Sequence, residues 1–226
     1  MAHRRAILGG GGDADDSRPL DRLFASWVGR SAKVLYLPVA TAATGRAYET
    51  RLIWLRNHFA ALGLGSIEMW SDLAGRSASD LMDFDALYIG NGNTFRLLQQ
   101  LRTHGLDTAL AEFADSGRPV YGSGSGAIVL GKDIATCAHQ EGNVTNVEDT
   151  RGLALLGGFC VWCRYQPSDD ARIAAFVAKH ATPVLALTER GGAALDGEDF
   201  TAAGHEPAIR FAADARTEIA VGERIA

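Results

Sequence analysis

Short apolar runs alternate along the first 130 residues with longer stretches whose apolar positions recur every three or four residues. Arg5 to Gly9, Lys33 to Pro38, Ile67 to Trp70, Ala86 to Gly90 and Pro119 to Tyr121 read as strands. Between them, Pro19 to Gly29 carries Leu20, Leu23, Phe24 and Trp27 at i, i+3, i+4 and i+7, the spacing of one helical face. Tyr48 to Leu62 and Leu97 to Phe113 keep the same period, the second interrupted at Gly105. Strands alternating with helices predict βαβ units and a parallel sheet covered on both faces. Such sheets bind ligands beyond the carboxyl ends of their strands. Three glycine-rich turns follow strands here, at Gly9 to Gly12, Gly90 to Asn93 and Gly122 to Gly126, and all three are expected on one rim.

Past Asp133 the pattern changes. Ala135 to Thr150 is polar and reads as a long loop, as does the shorter Thr41 to Thr44. Gly158 to Tyr165 reads as a strand, and Asp169 to His180 as a helix with Ser168 at its N-cap. Val184 to Thr188, Ala193 to Asp196 and Phe200 to Ala203 read as short strands, the last two joined by a hairpin at Gly197-Glu198. They predict an antiparallel extension of the sheet. With no repeat, linker or low-complexity tract, residues 1–226 are expected to form a single α/β domain.

Composition narrows the function classes. The chain has 226 residues, 47% of them hydrophobic and 22% charged, as in a soluble globular protein. A net charge of −5 gives no basic face for nucleic acid or an acidic membrane. The apolar run after Arg4 and Arg5 is too short for a signal peptide, and no run approaches a membrane span. Cys137, Cys160 and Cys163 are few and odd in number, which predicts a reducing, cytoplasmic setting rather than a disulfide scaffold. On a strand, Cys160 and Cys163 point to opposite faces and are expected to pack rather than to bind zinc. No cofactor or metal is expected. The glycine run at Gly9 to Gly12 lacks a dinucleotide fingerprint and reads as one wall of a site. A monomer or homodimer is expected.

The candidate chemistry lies in Pro119-Val-Tyr-Gly-Ser-Gly-Ser-Gly-Ala-Ile-Val-Leu-Gly131, a strand, a turn of very small residues and the start of a helix. That is the order of a nucleophile elbow, where only small neighbours permit so sharp a bend. Two registers fit. With Gly122 and Gly126 as the outer residues the tip is Gly124; with Ser123 and Ala127 the tip is Ser125.

Three segments together resemble the dipeptidase E (aspartyl dipeptidase) family of serine peptidases. Tyr88-Ile-Gly-Asn-Gly-Asn-Thr-Phe-Arg-Leu98 is similar to that family's G-G-G-N-T-F turn and helix. Pro119 to Ile134 is similar to its P-x-x-G-x-S-A-G-A elbow, and Thr150 to Tyr165 to the strand bearing its histidine. The resemblance implies a three-layer, flavodoxin-like fold of the class I glutamine amidotransferase kind. It also implies a serine mechanism that cleaves dipeptides with an N-terminal Asp. Aligned through Gly122, Gly126 and Ala127, the nucleophile position falls on Gly124 and the histidine position on Arg164. An arginine keeps its protons at any working pH and cannot serve as the base. Losing either member of such a pair costs on the order of 10⁴- to 10⁶-fold in rate.

The resemblance leaves a backbone oxyanion hole, from the N–H groups of Ser125 and the Gly92 turn beside Asn93. With Arg164 next to it, the expected ligand is a small anion or an acidic dipeptide, held without hydrolysis. The alternative is an active hydrolase with a relocated nucleophile, Ser125 or Ser123. His139 would then be the base, and Asp133, Glu141 or Glu148 the carboxylate. Asn93 and Thr94 are also expected to cap the following helix, and Arg164 to pair with Asp169 or Asp170.

Overall fold

A computed structural model describes residues 3–43 and 45–226. Of the expected Thr41 to Thr44 loop, Thr44 lies outside the described residues. Five parallel strands form the centre of the fold: β1 (Arg5–Gly9), β2 (Lys33–Leu37), β3 (Ser66–Met69), β4 (Ala86–Ile89) and β5 (Val120–Ser123). The helices between them are α1 (Arg18–Val28), α2 (Gly45–Ala60), α3 (Ala78–Leu81), α4 (Thr94–Thr103) and α5 (Leu106–Asp115), with the last two separated at Gly105 as expected. After β5 come α6 (Ser125–Leu130), β6 (Cys160–Cys163), α7 (Asp170–His180) and β7 (Val184–Leu187). Four strands close the chain: β8 (Gly191–Asp196), β9 (Asp199–Gly204), β10 (Ala208–Phe211) and β11 (Arg216–Ile219).

The main sheet runs β3-β2-β4-β5-β1-β8-β9. Its last two strands are antiparallel, so the hairpin at Gly197-Glu198 extends the sheet as expected. Four strands do otherwise: β6 and β7 pair with each other and with β10 and β11 in a second sheet, ordered β11-β10-β7-β6. Of the strands expected in the antiparallel extension, Val184 to Thr188 is thereby corrected: its residues pair in the second sheet instead. The apolar positions account for this layering. Phe24 of α1 and Phe59 of α2 bury their rings edge-on to each other, 5.8 Å apart, and Phe24 also meets Tyr121 of β5 at 5.5 Å. Leu87, Leu97, Leu110 and Val129 fill the other face, where Val161 and Leu185 of the second sheet join the same core. Trp162, Ile173 and Phe211 hold α7 against the far side of that second sheet. Truncating a ring such as Phe24 to alanine costs about 3–5 kcal/mol at such positions.

Two local expectations change. The stretch 135–150 begins with a 3-10 turn at Ile134–Cys137 rather than being loop throughout. The helix expected from Asp169 starts at Asp170 behind another 3-10 turn, Pro167–Asp169. There Gln166 and Asp169 form the capping box, and Ser168 is not the cap.

Candidate functional site

The carboxyl ends of β1, β4 and β5 meet as the glycine spacing predicts. A methyl group built on Gly11 would stand 3.4 Å from Gly124 Cα, 3.5 Å from Arg164 Nε and 3.7 Å from Asn91 Nδ2. Two backbone hydrogen bonds lock this corner: Gly124 N donates to Gly9 O at 2.9 Å, and Arg164 N donates to Gly10 O at 3.1 Å. Arg164 leaves β6 with φ at 54°, a left-handed conformation that is costly for a side chain of this size. Its guanidinium is half exposed, and its nearest carboxylate is Glu189, at 3.8 Å. The expected partners are engaged elsewhere, Asp169 with Arg172 and Asp170 with Arg216.

The bend itself is at Gly124, with φ 53° and ψ −111°, and α6 starts at the next residue. The small neighbours are required by space: a methyl on Gly122 would lie 2.4 Å from the Gly126 carbonyl. A methyl on Gly124 would lie 2.3 Å from Asn91 Oδ1 and 2.5 Å from Asn91 Cγ. The volume in which a side chain at the tip would stand is therefore filled by the carboxamide of Asn91.

That carboxamide does more than fill space. Asn91 Oδ1 accepts from Gly92 N at 2.8 Å and from Ser125 N at 3.2 Å. Two N–H donors on one atom identify that atom as the oxygen. They are the two donors expected to form an oxyanion hole. Both already donate to the Asn91 carboxamide oxygen. Sequence reasoning passed over Asn91, although the signal was present, because it stands where the G-G-G-N-T-F turn has its second glycine.

Ser125 is buried, and its hydroxyl donates to Gly92 O at 2.7 Å while Gly92 N approaches it at 3.1 Å. Glu141 Oε1 is 3.5 Å from the same hydroxyl, and among the described residues no imidazole is a partner of it. Glu141 accepts from the N–H and the hydroxyl of Thr94 at the start of α4. Burial pushes its carboxyl above the usual range, an effect these hydrogen bonds and the charge of Arg164 oppose. Asn93 caps α4 by accepting from Arg96 N at 2.9 Å, as expected.

The other sequence candidates lie apart. Ser123 shares the Tyr121 face of β5, beside Tyr88. His139 is stacked on Trp162 with ring centroids 3.8 Å apart, its Nδ1 on Thr136 O at 2.8 Å and its Nε2 buried without a partner. Burial holds this imidazole below its usual pKa. Asp133 Oδ1 accepts from Ala135 N, and this side chain lines a separate cavity with Lys132, Arg151 and His180. Glu148 is exposed on the loop. Cys160 and Cys163 face different cores, and all three cysteines are free and buried. Among the described residues no group of three or more His, Cys, Asp or Glu could hold a metal ion, and no helix is long and apolar enough to cross a membrane.

The sequence profile of Peptidase family S51 matches residues 6–202. Peptidase E of Actinobacillus pleuropneumoniae serotype 5b (strain L20) is 32% identical over 118 residues, 52% of this chain and 47% of that protein. The probable alpha-aspartyl dipeptidase of Drosophila melanogaster is 31% identical over 149 residues, 61% of each chain. The chain spans about half the length of the peptidase E relatives it matches. Among solved structures, a peptidase from an acI-B1 actinobacterium superposes with a TM-score of 0.77 at 15% identity, covering 99% of this chain and 97% of that one. That likeness is one of fold, the class I glutamine amidotransferase-like arrangement.

Proposed function

The chain belongs to peptidase family S51, and within that family we propose that it holds a small anionic ligand, such as an acidic dipeptide, without hydrolysing it. Serine hydrolysis needs a hydroxyl at the bend, a base to take its proton and vacant donors for the oxyanion. Here the bend carries no side chain, the position of the base carries a guanidinium, and the donors are taken. The observation that carries the reading is the seat of Asn91, whose carboxamide lies against Gly124 and binds both backbone N–H groups. An unfilled site with a lost serine would still stabilise developing charge; this one meets its own carbonyl instead.

What remains for a ligand is donor capacity. Arg164 presents a half-exposed guanidinium beside Gly11, and Asn91 Nδ2 donates to none of the described residues. A carboxylate bound there would receive charge-assisted hydrogen bonds from the one and an amide hydrogen bond from the other. The 3.5 Å approach of Glu141 to Ser125 favours the second reading, a relocated nucleophile. Against it, Ser125 is 1% exposed and its hydroxyl already donates to a backbone carbonyl.

The test is calorimetry and peptide hydrolysis with L-aspartyl-L-leucine. Binding without turnover is expected, and Arg164→Met should weaken it tenfold or more while leaving the melting temperature nearly unchanged. Robust turnover that disappears on Ser125→Ala would refute the proposal.

A further inference from the structure

On the same rim, a polar cleft of about 650 Å³ opens beyond the carboxyl ends of β2 and β3. Thr41, Tyr48, Asp72, Arg96 and Gln100 supply its polar wall. One hydrogen bond ties the cleft to Asn91, from Thr41 Oγ1 to Asn91 O at 3.1 Å. The wall is fixed from behind. The Tyr48 hydroxyl donates to Thr41 O at 2.5 Å, and Arg51 Nη1 donates to Thr41 Oγ1 at 3.2 Å.

Two opposite charges face this space unpaired. The guanidinium of Arg96, half-buried on the first turn of α4, donates to nothing among the described residues; only its backbone N–H is engaged, by Asn93. Asp72 accepts a hydrogen bond from Ala74 N at 2.9 Å and pairs with no cation among the described residues. A cation and an anion that line one cleft without meeting are matched by a small molecule that carries both signs.

The geometry points to a second subsite for a zwitterion, an α-amino acid or dipeptide whose carboxylate meets Arg96 and whose ammonium meets Asp72. The arginine fork suits a carboxylate. Gln100 stands one helical turn from Arg96 on the same face and adds an amide beside it. Arg51 adds positive field at the Thr41 end. The inference rests on the non-hydrolytic reading above only in requiring that the ligand stay intact.

The experiment is calorimetry at low salt with L-aspartyl-L-alanine, its N-acetyl form and its C-terminal amide, on wild type, Arg96→Met and Asp72→Asn. Thermal melts check that both variants are folded. Wild type is expected to bind the free dipeptide at least tenfold more tightly than either blocked form. Arg96→Met should bind acid and amide alike, and Asp72→Asn should bind free and acetylated amine alike. The subsite is refuted if wild type shows no binding, if blocked and free forms bind equally, or if both variants bind as wild type does. Cleavage of the dipeptide during the titration, seen by mass spectrometry, would overturn the non-hydrolytic reading instead, and the charge dependence would still judge the subsite.

Discussion

Restoring a hydroxyl at the bend by Gly124→Ser should unfold the protein more readily rather than activate it. The new Cβ would lie 2.3 Å from Asn91 Oδ1, far inside contact distance. Overpacking of this kind costs about 1–3 kcal/mol. The backbone at φ 53° and ψ −111° adds about 1–3 kcal/mol for a residue with a side chain. Should Asn91 swing away instead, Gly92 N and Ser125 N each lose an acceptor, at about 1 kcal/mol apiece. The expected total is a loss of about 2–6 kcal/mol. Asn91→Gly alone removes an acceptor from the Gly92 and Ser125 N–H groups and should cost about 1–2 kcal/mol. In the double variant the overlap has gone, so the two changes should fall short of their sum by about 1–3 kcal/mol. Urea denaturation of wild type, both single variants and the double variant measures this coupling. Additivity within about 0.5 kcal/mol would mean that Asn91 does not fill the space at the bend.

Three further outcomes follow from the neighbouring groups. The Glu141 carboxyl is raised above its ordinary value by burial, so the native state holds its proton more tightly than the unfolded chain. Its contribution is intact below about pH 4.5 and is lost as pH rises through the raised value. Glu141→Gln should therefore gain stability relative to wild type between about pH 4 and 7, and a difference independent of pH would contradict this. The His139 imidazole is held below its ordinary value, so its stabilisation is lost as pH falls below about 6.5. His139→Phe, which keeps a ring on Trp162, should flatten the stability profile between about pH 5 and 7, and an unchanged slope would place the titration elsewhere. Ser125→Ala should leave dipeptide binding unchanged, because its hydroxyl is spent on Gly92; a loss of tenfold or more would show that the ligand reaches it.

The alternation of β1 to β5 with helices was legible in the sequence because most of the strands are short, largely apolar stretches bounded by charged residues, glycine or proline. The break at Gly105 and the hairpin at Gly197 carried equally local signals. The second sheet did not. Arg216 to Ile219 is an edge strand with three exposed residues in four, so its sequence shows no buried face. The parallel pairing of β6 with β7 depends on partners more than twenty residues apart. At the site, the small residues of the bend announced its geometry, and Gly124 fell at the tip in one of the two registers they allowed. The role of Asn91 was not legible, since its meaning depends on the absence of a side chain 33 residues later. Arg164 was found, but Glu189 as its neighbour was not, because that acid lies on the turn after β7.

The most direct measurement is the intact mass of the wild-type protein after exposure to a serine-directed fluorophosphonate. A bend without an oxygen, and a Ser125 hydroxyl buried on Gly92, predict an unchanged mass. A stoichiometric adduct mapped to Ser125 would contradict the account.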